Sequence, residues 1–418
     1  MSDSVAAVTR AAKVERLATA IASEGDALAL QMARDVGKPV RFGRGEVRGT
    51  VEMLRAIASR WQREAPPDAG RPMAVSRRPH GVVAIITPWN NPLYIPLGKI
   101  VPAVLYGNAV VWKPAPEALG LSERMMQLLT ASGWPEDLVR HVGGGREAGE
   151  ALMNQQSVAA VTLTGSSAAG YAAQGICGRR RIPLQAELGG NNAAIVMPDA
   201  DLGRAAREIV AGAFEQAGQR CTANSRIVVH AGCSDALLEL IVEEAGSLVW
   251  GDPAQETTQV GPVVSAGHRE RVAGMIERAL AHGVRALWPL GSKPPGRSLE
   301  GAWQPPVILC CEDGALEIVQ EEVFGPVLVV QTARDWDEAI GLCNGVRQGL
   351  VASIFTESEN TVADFLERAQ AGILKVNQST ASAAVDAPFG GWKHSGLGPP
   401  EHGEFDRDFY TRPQTIYF

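Results

Sequence analysis

The sequence lacks the marks of several large protein classes. None of its apolar runs approaches the roughly 18 residues that cross a bilayer. Its first residues, MSDSVAAVTRAAKVERL, lack the apolar block of a signal peptide. The six cysteines (Cys177, Cys221, Cys233, Cys310, Cys311, Cys343) form no CxxC pair and no disulfide framework. That usage fits a reduced, cytoplasmic protein. The seven histidines show no HxxxH or HxH spacing, so no metal site is expected. Lys and Arg number 39 against 46 Asp and Glu, a net charge of −7. A chain without a basic field is not expected to bind nucleic acid. There is no GxGxxG fingerprint, no Walker loop and no GxSxG elbow. Internal repeats and low-complexity tracts are also missing.

What remains is ordinary globular material. Hydrophobic residues make up 45% and charged residues 20% of 418. At about 100–200 residues per domain this implies two to four domains, each able to bury its own core. The first sixty residues read as helices, with Val14, Leu17, Ile21, Leu28 and Met32 at helical spacing. Gly37-Lys38-Pro39 stops the pattern, and residues 46–61 resume it. Residues 63–72, rich in proline and charge, read as a loop or an exposed arm.

From Gly81 short apolar runs alternate with helical stretches. Strands are expected at 81–87, 108–113, 138–142, 158–164 and 183–188, with helices between them. A second series starts near Asn192, with strands at 193–197, 226–230, 326–332, 349–356 and 372–377. Its first helix, 201–215, opens on an Asp cap. Alternating βαβα units with strands apolar on both faces imply parallel sheets covered by helices. The chain therefore reads as two α/β domains meeting near 188–192, with a C-terminal edge strand.

Five places carry candidate chemistry. Cys221 sits in AGQRCTANSR between a helix and a strand, beside Arg220. It is either a small packed hydrophobe or a thiol whose pKa a neighbouring cation lowers. Glu187 ends an apolar strand before two glycines, as a turn carboxylate or as a group facing a cleft at the strand ends. Asn90 follows another strand, as a turn former or as an amide that donates to an oxyanion. Lys113 ends the strand AVVWK, solvated or reaching a ribose or phosphate. LTGSS (163–167) runs from strand to helix, where Gly165 permits close approach and a helix N-terminus favours phosphate.

Taken together, the ordered motifs TPWNNPL, VVWKPAPE, LTGSS, ELGGNN, GQRCTA, EEVFGP, VNQST and APFGGWKHSG resemble the aldehyde dehydrogenase superfamily. The resemblance runs from residue 87 to 396. It implies an aldehyde dehydrogenase-like α/β fold with two Rossmann-type parallel-sheet domains and a small β oligomerisation arm. Residues 1–62 and 80–189 would form the NAD(P)-binding domain and 190–392 the catalytic domain. Residues 63–79 and 393–418 would supply the arm and C-terminal strand of a homodimer or homotetramer. Cys221 matches the nucleophile, and Asn90 an oxyanion donor. Glu187 matches the base that activates water, and Lys99 a lysine that assists proton movement near it. Thr87, Trp89, Lys113, Gly165, Ser166, Leu188, Glu322 and Phe324 match positions that bind NAD or NADP. The implied reaction oxidises a small-molecule aldehyde through a thiohemiacetal and a thioester. Glu187 favours release as a free acid over transfer to coenzyme A, and the intact trio of Cys221, Glu187 and Asn90 over a non-catalytic relative.

Departures from the family pattern bear on specificity. Pro116 stands where a carboxylate would repel a 2′-phosphate, which leaves both dinucleotides open. Asn191 replaces the usual lysine of ELGGK and is expected to be structural. Asn91, Arg220 and Phe389 fall at positions lining the aldehyde channel, and Gly98 where bulkier residues often stand. The channel is therefore expected to be wide and polar. GQRCT and GGNN are similar to succinylglutamate-semialdehyde and related semialdehyde dehydrogenases, and Arg220 could hold a substrate carboxylate. The family also has strands and a loop before the helix that begins here almost at Met1. The cofactor domain is expected to be trimmed at its outer edge, with the active site complete.

Overall fold

The computed structural model describes residues 3–63, 73–287, 302–381, 384–385 and 387–417. Most of the expected arm at 63–72 lies outside the described residues. Three helices open the chain: Asp3–Ser23, Gly25–Val36 and Val40–Arg63. The third starts directly after Pro39, several residues before its expected beginning. The Pro39 carbonyl accepts from the N–H groups of Phe42 and Gly43 and so launches it. Glycine at Gly43 blurs the apolar spacing but lets the helix press on its neighbour. A Cβ there would stand 3.0 Å from the Ala29 Cα.

The strands follow in chain order. They are β1 (Met73–Pro79), β2 (Val82–Ile86), β3 (Ala109–Lys113), β4 (Val139–His141), β5 (Val158–Thr164) and β6 (Leu184–Glu187). Then come β7 (Asn192–Val196), β8 (Asn224–His230), β9 (Arg285–Ala286), β10 (Val307–Cys310) and β11 (Val327–Ala333). The last are β12 (Gln348–Gly349), β13 (Val351–Phe355), β14 (Ile373–Val376), β15 (Trp392–Lys393), β16 (Gly396–Leu397) and β17 (Thr411–Tyr417).

Two sheets dominate. The first has six strands in the order β16-β6-β5-β2-β3-β4 and the second seven in the order β14-β13-β7-β8-β11-β10-β9. Each is parallel apart from one antiparallel edge strand of two residues, β16 in the first and β9 in the second. Val83, Ile85, Val110 and Trp112 meet Leu97, Ile100 and the N-terminal helices in one apolar core. Ile227, Val229, Leu328 and Val330 meet the helices Leu202–Phe214 and Ser234–Gly246 in another. The Asp201 carboxylate caps the first of these, accepting from Arg204 N–H at 2.9 Å.

Two small additions join distant parts of the chain. β1 and β17 pair antiparallel from Met73–Tyr417 to Pro79–Thr411, forming a two-stranded ribbon with Met73, Val75 and Tyr417 exposed. β16 returns a late segment to the first sheet, where Gly396 pairs with Glu187. Among the described residues, no helix is long and apolar enough to cross a membrane.

Candidate active site

Ligands of parallel α/β sheets bind beyond the carboxyl ends of the strands. Here that edge of the first sheet presents Thr87 after β2, Lys113 at the end of β3, Gly165 and Ser166 after β5, and Glu187 at the end of β6. The second sheet brings its opposite edge to the same cleft. Cys221 stands just before β8, and Glu322 and Phe324 just before β11.

Cys221, Glu187, Leu188, Asn91, Arg220 and Phe389 line one cavity of about 530 Å³. Thr87, Lys113, Gly165 and Ser166 line a second, of about 400 Å³, which also reaches Pro116. Asn90, Lys99, Trp89, Glu322 and Phe324 line neither, and pack around them.

The ELGGNN segment shapes the cysteine loop. Asn192 Nδ2 donates to the carbonyls of Cys221 at 2.7 Å and Ala223 at 2.8 Å, while its Oδ1 accepts from Val351 N–H at 3.0 Å. A Cβ on Gly190 would stand 2.5 Å from the Cys221 oxygen, so glycine is required for this approach. The Thr380 hydroxyl holds the next carbonyl, that of Thr222, at 2.7 Å. Asn191 has the expected structural part, donating to the Val319 carbonyl at 2.6 Å.

The thiol corrects one expectation. Its pKa is raised on balance, despite the neighbouring Arg220. Burial pushes it up to about 12, assisted by the charges of Glu322, Glu187 and Glu401. Arg220 turns its guanidinium to the carbonyls of Ala211 and Gly212 at 2.9 and 3.2 Å, and its Nε is buried without a hydrogen-bond partner among the described residues.

Glu187 is buried and accepts from the Gly391 N–H at 3.1 Å. Burial, then the charge of Glu401, raises its carboxyl well above the ordinary range, with Lys99 opposing. Lys99 is buried too, ion-paired with Glu401 and donating to the Thr162 hydroxyl at 2.8 Å. Asn90 is buried, with Nδ2 donating to the Gln219 carbonyl at 3.1 Å and Oδ1 without a partner among the described residues.

Around the second cavity, Lys113 Nζ donates to the carbonyls of Pro114 and Gly144, each at 2.8 Å, and burial lowers its pKa. Ser166 caps the helix Ser167–Arg180, accepting from Ala169 N–H at 3.3 Å. The Glu322 carboxylate accepts from Gly190 N–H at 3.0 Å, and burial raises its pKa to about 7. Trp89 packs edge-on against Phe324 with centroids 5.6 Å apart. Phe324 has a φ of 51°, a left-handed backbone that bulky residues rarely adopt. His268 braces it through a 2.7 Å hydrogen bond to its carbonyl.

The larger cavity is also lined by charged and titratable residues that escaped the sequence reading, among them Lys38, Glu46, Glu401 and His402. Lys38 and Glu46 form a buried ion pair. Glu46 Oε1 also accepts from the N–H groups of Leu93 and Tyr94, both at 2.9 Å, at the start of the helix Tyr94–Leu105. A lysine in a helix-stopping GKP carries no local sign of burial. Glu401 and His402 reach the cavity only through tertiary folding. His402 corrects a second expectation, because a Cβ on Gly98 would stand 2.8 Å from its Cε1. The space over Gly98 is filled by imidazole and does not widen the channel.

The Lys38–Glu46 pair gives a stability prediction. Lys38→Met leaves a buried carboxylate without its cation, so the folded state is expected to lose about 3 kcal/mol. A lower urea midpoint is the readout, and an unchanged midpoint would mean that the pair contributes nothing.

A half-buried cysteine and a buried carboxylate face one cavity, beside a second cavity at the strand ends, an arrangement that suits an oxidoreductase. The aldehyde dehydrogenase family profile matches residues 3–416, and the chain belongs to that family. It is an NAD(P)-dependent aldehyde dehydrogenase. It is 33% identical over 390 residues to an alpha-ketoglutaric semialdehyde dehydrogenase of Bacillus subtilis, covering 92% of this chain and 80% of that one. It is 36% identical over 393 residues to N-succinylglutamate 5-semialdehyde dehydrogenase 1 of Caulobacter vibrioides, covering 92% and 82%. The crystal structure of an NAD-dependent aldehyde dehydrogenase from Sinorhizobium meliloti superposes with a TM-score of 0.93 at 31% identity, covering 99% of this chain and 82% of that one.

The second cavity suits NAD or NADP. It offers a buried cation in Lys113, the N-terminus of a long helix at Ser166 and an open backbone at Gly165, where a Cβ would meet nothing nearer than 3.7 Å. Among the described residues no group of three or more His, Cys, Asp or Glu could hold a metal ion.

Proposed function

We propose that the chain oxidises a polar or carboxylated semialdehyde to the free acid, with Cys221 as nucleophile and Glu187 as base. The shared cavity of these two side chains carries the reading. The Cys221 thiolate adds to the aldehyde carbon and forms a thiohemiacetal oxyanion. The second N–H of the Asn90 amide and the Cys221 N–H, which lies against its own thiol, hold that oxyanion. Bound NAD or NADP supplies the hydride acceptor. Loss of hydride from the former aldehyde carbon leaves a thioester on Sγ. Glu187 then takes a proton from water, whose oxygen attacks the thioester carbon and releases the acid and the thiol. Lys99, paired with Glu401, stands behind this base and is placed to move its proton onward.

Lys113 and Glu322 are assigned to the cofactor ribose. Gly165 and Ser166 are assigned to the pyrophosphate and adenosine, with Thr87 as a wall, and Trp89, Leu188 and Phe324, outside that lining, are assigned to the cofactor as well. Arg220 lines the same cavity as Cys221 and is assigned to a substrate carboxylate, with its Nη2 held by the carbonyls of Ala211 and Gly212. Phe389 forms part of the channel wall. The β1–β17 ribbon serves a homodimer or homotetramer of a cytoplasmic enzyme.

The test is a panel of aldehydes with NAD⁺ and with NADP⁺, followed by nicotinamide absorbance and acid analysis. Semialdehydes should yield free acid without added coenzyme A. Acyl transfer that requires coenzyme A would contradict the reading. Asn90→Ala should lower kcat by about 10²–10³-fold, as for other lost oxyanion donors. An unchanged kcat would remove Asn90 from the mechanism.

A further inference from the structure

The larger cavity holds polar groups that the chemistry at Cys221 leaves unused. Asn91 is the first. Lys38 Nζ donates to its Oδ1 at 2.7 Å. An ammonium has donors only, so it fixes which end of the amide it meets. Lys38 is only 5% exposed and is pinned by Glu46, which two backbone N–H groups hold in turn. The Asn91 amide is therefore locked with its Nδ2 donors turned away from Lys38, in a residue that lines the cavity.

His402 is the second. It lines the same cavity, is 6% exposed, and its Nδ1 is buried with no hydrogen-bond partner among the described residues. Burial lowers its pKa, so the ring is neutral and carries one donor and one acceptor. It packs edge-on against Tyr94, with centroids 5.9 Å apart. Tyr94 lies one turn beyond Asn91, whose carbonyl accepts from Ile95 N–H at 3.2 Å. Gly98 leaves room for this imidazole. The same cavity is thus lined by a locked amide and by an imidazole whose Nδ1 has no partner among the described residues.

We propose that Asn91 and His402 form a specificity-determining subsite, which hydrogen-bonds an oxygen on the carbon chain of the substrate aldehyde. The proposal rests on reading this cavity as the aldehyde site of Cys221. Because Asn91 offers donors, the group it takes is an acceptor, a hydroxyl or carboxylate oxygen. An apolar aldehyde would dry both side chains without pairing them. A site built to hydrogen-bond discriminates strongly against the analogue that lacks the oxygen.

The test compares 4-oxobutanoate, 4-hydroxybutanal and butanal on the wild-type enzyme, Asn91→Leu and His402→Phe. Phenylalanine keeps a ring against Tyr94 and Gly98. In the wild type, at least one oxygenated aldehyde should exceed butanal in kcat/KM. Each variant should lower that preference by about tenfold, chiefly through KM, the loss of one hydrogen bond's discrimination. The choice between 4-oxobutanoate and 4-hydroxybutanal identifies the oxygen as carboxylate or hydroxyl. A wild type without preference, or a preference within about twofold of wild type in both variants, would overturn the subsite. Cys221→Ala runs alongside. Continued turnover in that variant would bring down the site reading itself, and the subsite with it.

Discussion

Cys221→Ala is expected to lose aldehyde oxidation by about 10⁴-fold or more, because Cys221 is the one thiol among the described residues that line the cavity. The variant should fold, since alanine keeps the small volume between Asn192 and Thr380 and leaves their hydrogen bonds to the loop carbonyls intact. The free enzyme should also show a guarded thiol. With its pKa pushed up to about 12, alkylation of Cys221 by iodoacetamide should climb across the alkaline range without levelling. A plateau near neutrality would contradict the burial and the three carboxylates that hold the thiol up. Two of those carboxylates are raised by burial themselves, Glu322 to about 7. Near neutral pH Glu322 is partly protonated and opposes the thiolate less. The site thus couples its nucleophile to the protonation of its own acids.

Glu187→Gln carries the second large effect. Steady turnover should fall by about 10²–10⁴-fold, the usual contribution of a general base, while the first turnover still releases one equivalent of NADH or NADPH. The pH dependence follows from the raised carboxyl. Glu187 gains its basic form only as pH rises past the ordinary carboxylate range, so wild-type deacylation should rise with pH through that window. The glutamine variant should lack that limb. Rapid-quench measurement of burst and steady state separates this from ionisation of the thiol, which acts on the burst. Unimpaired steady turnover would remove Glu187 as the base.

The parallel sheets were legible because their strands are continuous apolar runs between glycines and prolines. VAAVTLT matches β5 from end to end, and AVVWK matches β3. The Asp201 cap was visible for the same local reason, a short acceptor before an amphipathic helix. What escaped is set by tertiary contacts. Two-residue edge strands such as β9 and β16 have no period to read. β10, four residues long, is too short to separate from a buried turn of helix.

The same division runs through the site. Cys221, Glu187 and Asn90 stand out because each follows or precedes a strand in a polar, glycine-rich setting. Their electrostatics did not stand out. Arg220 adjoins Cys221 in sequence, yet its Nη2 is held by carbonyls of the helix Leu202–Phe214, and burial, with carboxylates from three other segments, dominates the thiol. Lys38 reads as part of a turn and proves to be a buried cation that orients Asn91. Gly98 reads as open space and proves to be the berth of His402, a residue far along the chain.

The central claim is that the acyl group passes through Cys221 and leaves by the action of Glu187. Its most direct test is mass analysis of Glu187→Gln quenched in acid after incubation with oxidised cofactor and 4-oxobutanoate. The account predicts the acyl mass on the peptide that contains Cys221, and on no peptide of the Cys221→Ala variant. An unmodified Cys221 peptide, with NADH or NADPH still produced, would contradict it.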